Sequence, residues 1–241
     1  GLYGAGANIH RSPYLGRNYG YISEDGFLSG MTLAQMNLGM ETKGAFMLAK
    51  HCVLNEQETN RCGSSSWANE QSIREIYLRV FEVAIKEGSL QGVMTSLNRI
   101  GVIPAPHHTF LNEVLRYEMG MTGYNVTDSG MPYMNTANCV WAGNDLPING
   151  VSHTVPNIPS EGYGHVAQAA RECVHNVLYT VANSSAMNGF SSDMRVIRFQ
   201  PEWEYFLEQA IRISNIVIVP VVAVYVLTEV GVILFRRRYF F

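Results

Sequence analysis

Short apolar runs of strand length alternate with stretches of helical period over the first 190 residues, and polar side chains recur where the short runs end. Asn8-Ile-His-Arg11 reads as a short strand closed by Ser12-Pro13, and a loop carries Gly16-Arg17-Asn18. Ser23-Glu24-Asp25 supplies a cap and acidic first-turn residues for a helix over Phe27 to Lys43, stopped by Gly44. Ala45 to Ala49 is an apolar strand that delivers Lys50-His51, and a polar loop covers Asn55 to Ser66. Ile73, Ile76, Tyr77, Val80, Phe81, Ala84 and Ile85 then fall on one face of a helix that Gly88 ends. Gly92 to Ser96 is again strand-like and opens onto Leu97-Asn98-Arg99; Phe110 to Tyr117 is a short helix. Tyr124 to Thr127, punctuated by Gly123 and Gly130, is a buried strand that presents Asp128. Ala142 to Pro147 resembles one more strand end, a loop covers about 149–160, and a helix runs from Gly164 to Ala182.

This alternation, about five strand–helix units with polar strand ends, predicts an α/β fold: a parallel sheet forming part of a (β/α)8 TIM-type barrel, with a site on one rim. Five units do not close eight strands, and the chain opens without Met inside a structured pattern, so it is expected to be the C-terminal part of a longer protein. The end is different in kind. Ile216 to Phe235 is a twenty-residue apolar run with Glu229 as its single ionisable group, followed by Arg236-Arg237-Arg238. Its length matches the hydrocarbon core of a bilayer, and the arginines predict a cytoplasmic tail with everything before it outside. A buried core segment is the competing reading. The expected division is a barrel portion over 1–190, a juxtamembrane linker over 191–212 and a single membrane-spanning helix over 213–238.

Composition narrows the chemistry. The 241 residues are 47% hydrophobic and 15% charged with a net charge of −3, and no basic stripe precedes the last residues, which speaks against nucleic acid. The four cysteines lack CxxC pairing and read as scattered thiols; the seven histidines include His107-His108 but no metal-ligand spacing. No metal or cofactor is expected. Gly4-Ala-Gly6 lacks the preceding strand and third glycine of a dinucleotide loop. Asp128 has two readings: a carboxylate that meets a substrate at the strand mouth, or a cap for the following turn.

Ile9-His-Arg-Ser-Pro13, Gly16-Arg-Asn18, Ser23-Glu-Asp25, Lys50-His51, Asn55 to Arg61, Arg74 to Leu78, Val93 to Ser96 and Val126-Thr-Asp128 together resemble glycoside hydrolase family 3, in its β-glucosidase branch, over residues 4–150 in unbroken order. Residues 167–187 resemble the end of the barrel in bacterial members of swapped domain order, where a membrane anchor follows. The resemblance implies a retaining glycosidase with Asp128 as nucleophile. It implies that Arg17, Lys50, His51 and Arg61 hydrogen-bond the sugar hydroxyls, with Met94 packing nearby. Fixed cationic donors suit a ligand rich in hydroxyls, and an adjacent cation favours an ionised carboxylate. The partner acid/base is not assignable: Glu24, Glu56 and Glu58 are candidates by type alone, each expected to be structural, and the group is expected from a missing N-terminal part of the protein.

Four positions depart from the family pattern: Ser129 where a stacking aromatic follows the nucleophile, Leu97 for a tyrosine, Cys52 for a phenylalanine and Gly20 for a glutamate. They leave two functions open. One is hydrolysis of β-linked glucosyl residues from oligosaccharides or glycosides by an outward-facing, membrane-anchored enzyme, with the isolated 241 residues inactive. The other is a catalytically silent, membrane-tethered carbohydrate-binding domain. An N-acetylhexosaminidase fits less well, because Val53 to Glu56 replace that branch's Gly/His-rich loop.

Overall fold

The structure is a computed structural model that describes residues 1–62, 64–129, 133–148, 164–188, 195 and 201–239. The chain divides into two compact units, Gly1–Gly189 and Phe190–Phe241.

The first unit is built on a four-stranded parallel sheet of β1 (Leu2–Gly6), β2 (Met47–Cys52), β3 (Gly92–Thr95) and β4 (Val126–Thr127), ordered along the sheet as along the chain. A single parallel bridge from Val126 to Leu146 sets a fifth segment beside β4, where the sequence predicted another strand end. α1 (Gly26–Glu41) joins β1 to β2. α2, residues 70–88, joins β2 to β3; it starts as an α-helix (Glu70–Ser72), passes through a π turn (Ile73–Tyr77) and continues as Arg79–Gly88. α3 (Leu111–Glu118, a π-helix) precedes β4, and α4 (Thr136–Trp141) and α5 (Gly164–Ala182) follow it. The short strands Ser65–Ser66, Arg99–Ile100 and Ile103–Pro104 make a separate small sheet.

Two apolar clusters hold the sheet. Met47, Ala49 and Val93 belong to a large one with Leu33 of α1 and Phe81 and Ala84 of α2. Leu48, Met94 and Val126, the alternate positions, belong to another with Phe46 and Tyr124, as strand periodicity requires. α1 and α2 touch through small residues: a Cβ on Gly88 would stand 2.2 Å from Ala34 Cα, and one on Gly30 would stand 2.5 Å from Val83 Cβ. Gly88 therefore serves close approach, and the left-handed residue that ends the helix is Ser89, at φ 51°.

Buried polar groups are spent on joints between elements. The Asn37 amide donates to Gly88 O (2.8 Å) and accepts from Met47 N (3.1 Å), tying α1 to the end of α2 and the start of β2. Asp145 accepts from Asn125 N at 2.6 Å, from Asn176 Nδ2 at 2.9 Å and from the Arg116 guanidinium. Burial pushes its carboxyl up against the opposing pull of Arg116 and the Asn125 N–H. This strand-end aspartate is a structural anchor between α3, β4 and α5.

Several expectations change. The glycine-rich run Leu2–Gly6 forms the first strand, and Asn8 to Arg11, expected as a strand, is irregular. Glycine is needed because a Cβ on Gly6 would lie 2.0 Å from Gly20 O. Lys50 and His51 lie inside the end of β2. Asp25 itself is the N-cap of α1, accepting from Leu28 N at 2.8 Å. Gly130, the loop expected over 149–160 and much of the linker expected over 191–212 lie outside the described residues.

The second unit holds α6 (Glu202–Tyr239), which starts inside the stretch read as linker. It is the one helix, among the described residues, long and apolar enough to cross a membrane. Pro220 lies inside it, and Arg236, Arg237 and Arg238 fill its last turn.

Asp145→Ala should leave the Arg116 guanidinium, only 10% exposed, without its charge partner, though it keeps the Asn112 and Gly123 oxygens as acceptors. The expected loss is about 3–5 kcal/mol of unfolding free energy, read from the urea midpoint at unchanged slope. An unchanged midpoint would show that the anchor contributes nothing.

Candidate active site

Because the strands run parallel, their C-terminal ends share one rim, and the candidate residues sit there. Asp128 follows β4 directly; its N–H donates to Thr95 O at the end of β3 (3.3 Å), and its Oδ1 accepts from Ser129 N (2.8 Å). The turn-cap contact and the rim position thus coexist. Asp128 Oδ2 lies 3.5 Å from His51 Nε2.

His51 reaches that carboxylate by a break in strand regularity. Pairing of β2 with β3 runs Lys50↔Met94 and then Cys52↔Thr95, so His51 is an extra residue, and the bulge lets two consecutive residues serve the rim. Burial, followed by the fields of Arg17, Lys50 and Arg61, pushes the imidazole down to about 3. The ring is neutral at physiological pH, and its contact with Asp128 is one of hydrogen-bonding groups, not opposite charges.

Arg17 comes from the loop after β1. Its Nη2 stands 3.5 Å from each His51 ring nitrogen, its Nη1 is paired with Glu58 Oε2 at 2.5 Å, and its Cζ lies 5.7 Å from the Tyr21 ring centre. Arg61 Nη1 approaches the same Glu58 oxygen at 3.5 Å. Lys50 is half-buried, in register with Gly6 and Met94. Met94, 6% exposed, packs with Leu48 and Val126 in the apolar layer beneath the rim. The structure therefore links Arg17, His51, Arg61 and Asp128 through contacts, adds Lys50 as a cation acting on His51, and leaves Met94 as flooring.

The glutamates nominated by type alone are occupied or remote. Glu58 is ion-paired to two arginines, Glu24 is exposed on the approach to α1, and Glu56 is 1% exposed and accepts from Asn8 Nδ2 at 3.3 Å. Sequence reasoning missed Asn8, which bonds the His51 main chain at both N (2.8 Å) and O (2.9 Å). Reading Asn8 as the first residue of a strand hid it; with β1 ending at Gly6 it lies just past a strand end, like the others. Tyr133 was missed too: its hydroxyl donates to Leu97 O at 2.5 Å with Arg99 Cζ 5.8 Å from its ring centre. No cluster of metal-ligating side chains occurs among the described residues.

A rim carboxylate beside a neutral histidine, with two arginines and a lysine acting on that histidine, is an arrangement able to offer hydrogen bonds to a polar ligand. Some solved structures similar to this chain hold such ligands, glycerol or glucose. No family model matches the chain. "Beta-glucosidase A" of Butyrivibrio fibrisolvens is 42% identical over 145 residues, covering 58% of this chain and 17% of that protein. "Beta-glucosidase" of Ruminococcus albus is 40% identical over 128 residues, 53% of this chain and 14% of that protein. Among solved structures, β-glucosidase 3B from Thermotoga neapolitana in complex with glucose superposes with a TM-score of 0.66 at 31% identity, over 77% of this chain and 27% of that one. A β-glucosidase from Paenibacillus barengoltzii gives 0.72 at 31% identity, over 82% and 23%. The GH3 β-glucosidase of Bifidobacterium adolescentis gives 0.65 at 27%, over 81% and 29%. The chain thus spans about a sixth of the length of these curated relatives and about a quarter of the solved chains.

The neutral His51 makes stability depend on pH with a defined sign. The folded chain binds fewer protons than the unfolded chain between about pH 3 and the ordinary histidine value of 6.5, so this contribution is complete above 6.5 and is lost on acidification through that window. Urea titrations from pH 4 to 8 should show His51→Gln with an acid limb shallower by up to about 1.4 kcal/mol per pH unit. Identical slopes would mean that the ring is not held neutral.

Proposed function

We propose that this chain is the nucleophile-bearing part of a retaining β-glycosidase that removes terminal β-linked glucosyl or related residues from oligosaccharides and glycosides. The observation that carries the reading is the convergence of Asp128, His51 and Arg17 at one rim. Support comes from relatives and structural neighbours named as β-glucosidases. The four strands and the bridged fifth segment are, on this reading, part of a (β/α)8 barrel.

Asp128 attacks the anomeric carbon, its carboxylate oxygen forming the new bond as the aglycone oxygen departs. A carboxylic acid protonates that oxygen, and its conjugate base then takes a proton from the water that cleaves the glycosyl ester. Retention requires the two carboxyls about 5–5.5 Å apart. Glu58 is tied to Arg17 and Arg61, and Glu56 to Asn8, so the acid/base comes from another part of the protein, and residues 1–241 alone are inactive. Arg17, Lys50 and Arg61 donate to sugar hydroxyls, and neutral His51 adds an N–H without adding charge.

The alternative is a catalytically silent sugar-binding domain. One observation favours it: Leu97 is 1% exposed with its carbonyl occupied by Tyr133, and Ser129 follows Asp128, so neither family aromatic position offers a ring. α6 anchors the protein in a membrane. At 1.5 Å per residue its 38 residues exceed the roughly 30 Å core, so its first turns stand outside. The arginine end is cytoplasmic and the glycosidase unit extracellular.

In the full-length protein, Asp128→Asn should reduce release of the phenol from an aryl β-glucoside by about 10⁴-fold or more while leaving the fold intact. Sugar binding with no turnover by the unaltered protein would establish the silent domain instead. Protease added outside intact cells should digest residues 1–190 and spare an epitope placed after Phe241; the reverse pattern would invert the orientation, and release by salt alone would remove the anchor.

A further inference from the structure

The bulge that frees His51 for the rim has a structural cost, and the residues that offset it lie outside the catalytic set. An extra residue in one strand loses its ladder partners, leaving a main-chain N–H and C=O in need of new ones. At His51 both are buried, and both are supplied by one side chain: the N–H donates to Asn8 Oδ1 at 2.8 Å, and Asn8 Nδ2 donates to the carbonyl at 2.9 Å. The Asn8 amide imitates one unit of neighbouring strand. It has a fixed orientation because the same Nδ2 also donates to Glu56 Oε1 at 3.3 Å, and Asn8 and Glu56 are 2% and 1% exposed. Glu56 is held up by burial, with Arg11 as an opposing field, and no role in the proposed cycle uses it.

We propose that Asn8 and Glu56 are positioning residues that hold the bulged main chain of His51 so that its ring stands between Arg17 and the nucleophile. The assignment rests on the glycosidase reading for its catalytic consequence but not for its geometry. Asn8 orients the peptide on both sides of the His51 side chain, and Glu56 fixes which end of the Asn8 amide donates. A reversed amide would set its NH2 donor against the His51 N–H and its oxygen against the His51 carbonyl oxygen, and both bonds would fail. Glu56 acts here as an acceptor of shape, not as a charge, so glutamine serves in its place and alanine does not.

The test has two readouts. In the 241-residue chain in detergent micelles, ¹⁵N-histidine NMR follows the His51 ring, assigned by its loss in His51→Gln. Arg17, Lys50, Arg61 and Asp128 are the charged groups around it, and all are retained. The ring should stay neutral down to about pH 3 in the unaltered chain and in Glu56→Gln. In Asn8→Ala the titration should move towards the ordinary histidine value by about one unit or more as the segment loosens and water enters. Glu56→Ala should move it the same way by less. In the full-length protein, Asn8→Ala should lower kcat about a hundredfold with a much smaller change in KM, and Glu56→Gln should restore what Glu56→Ala loses. Should Asn8→Ala fail to fold, the Glu56→Ala and Glu56→Gln pair carries the test. A ring that titrates near pH 3 in every variant, with kcat unmoved, overturns the assignment. Absence of hydrolysis by the unaltered full-length protein would remove the glycosidase reading, and the NMR titration would still decide the clamp.

Discussion

Everything at the rim depends on four strands lying side by side in chain order and in one direction. Parallel pairing cannot be closed by a tight turn, so each strand returns through a helix and each arrives with the same polarity. Arg17, His51, Thr95 and Asp128 come from four separate stretches and meet because each lies near the end of a strand or in the loop that follows one. Register does the fine work. Gly6 faces Lys50, Lys50 faces Met94, and Met94 faces Val126, so an apolar layer ends at the level where the polar one begins. Slippage by one residue would exchange these layers.

Within the rim, burial and charge act together on His51. Three cations around a desolvated imidazole keep it uncharged. A protonated ring there would add a fourth positive centre, whereas a neutral ring adds hydrogen-bonding capacity without charge. That suits recognition of a polyol, whose hydroxyls require direction more than field. The same crowding explains why the ring needs main-chain support: being neutral, it has no ion pair to hold it, and its hydrogen-bonding contact is with Asp128, whose oxygen belongs to the proposed chemistry.

The helices were legible because their signals are local. The spacing from Val80 to Ile85 and the span Gly164–Ala182 appear as read, whereas Ile73 to Tyr77 makes a π turn that leaves Ile76 45% exposed. The placing of Thr95 and Asp128 at strand ends follows from apolar runs meeting polar residues, while β2 runs on past Lys50 to Cys52. The first strand was not legible. Leu-Tyr-Gly-Ala-Gly has little strand propensity, and it is a strand because β2 lies beside it and Gly20 O leaves no room for a side chain at Gly6. Misplacing that strand hid Asn8. The bulge at His51 was equally invisible, since its cause is the register between two strands far apart in sequence. Asp145 resembles Asp128 in the chain, a carboxylate after an apolar stretch. Only the partners, a buried arginine in one case and an open rim in the other, tell anchor from candidate nucleophile.

Glu58 carries a consequence for the order of events. One of its oxygens serves both Arg17 and Arg61, so the rim holds three fixed positive side chains against two carboxylates, a surplus of one. Once Asp128 becomes an ester in the proposed cycle, the surplus is two. The pocket is then electrostatically poorer in the half-reacted state than in the resting one, and regenerating a free carboxylate relieves the imbalance. A site wired in this way is biased towards emptying itself, with Glu58 setting the strength of that bias from outside the reaction.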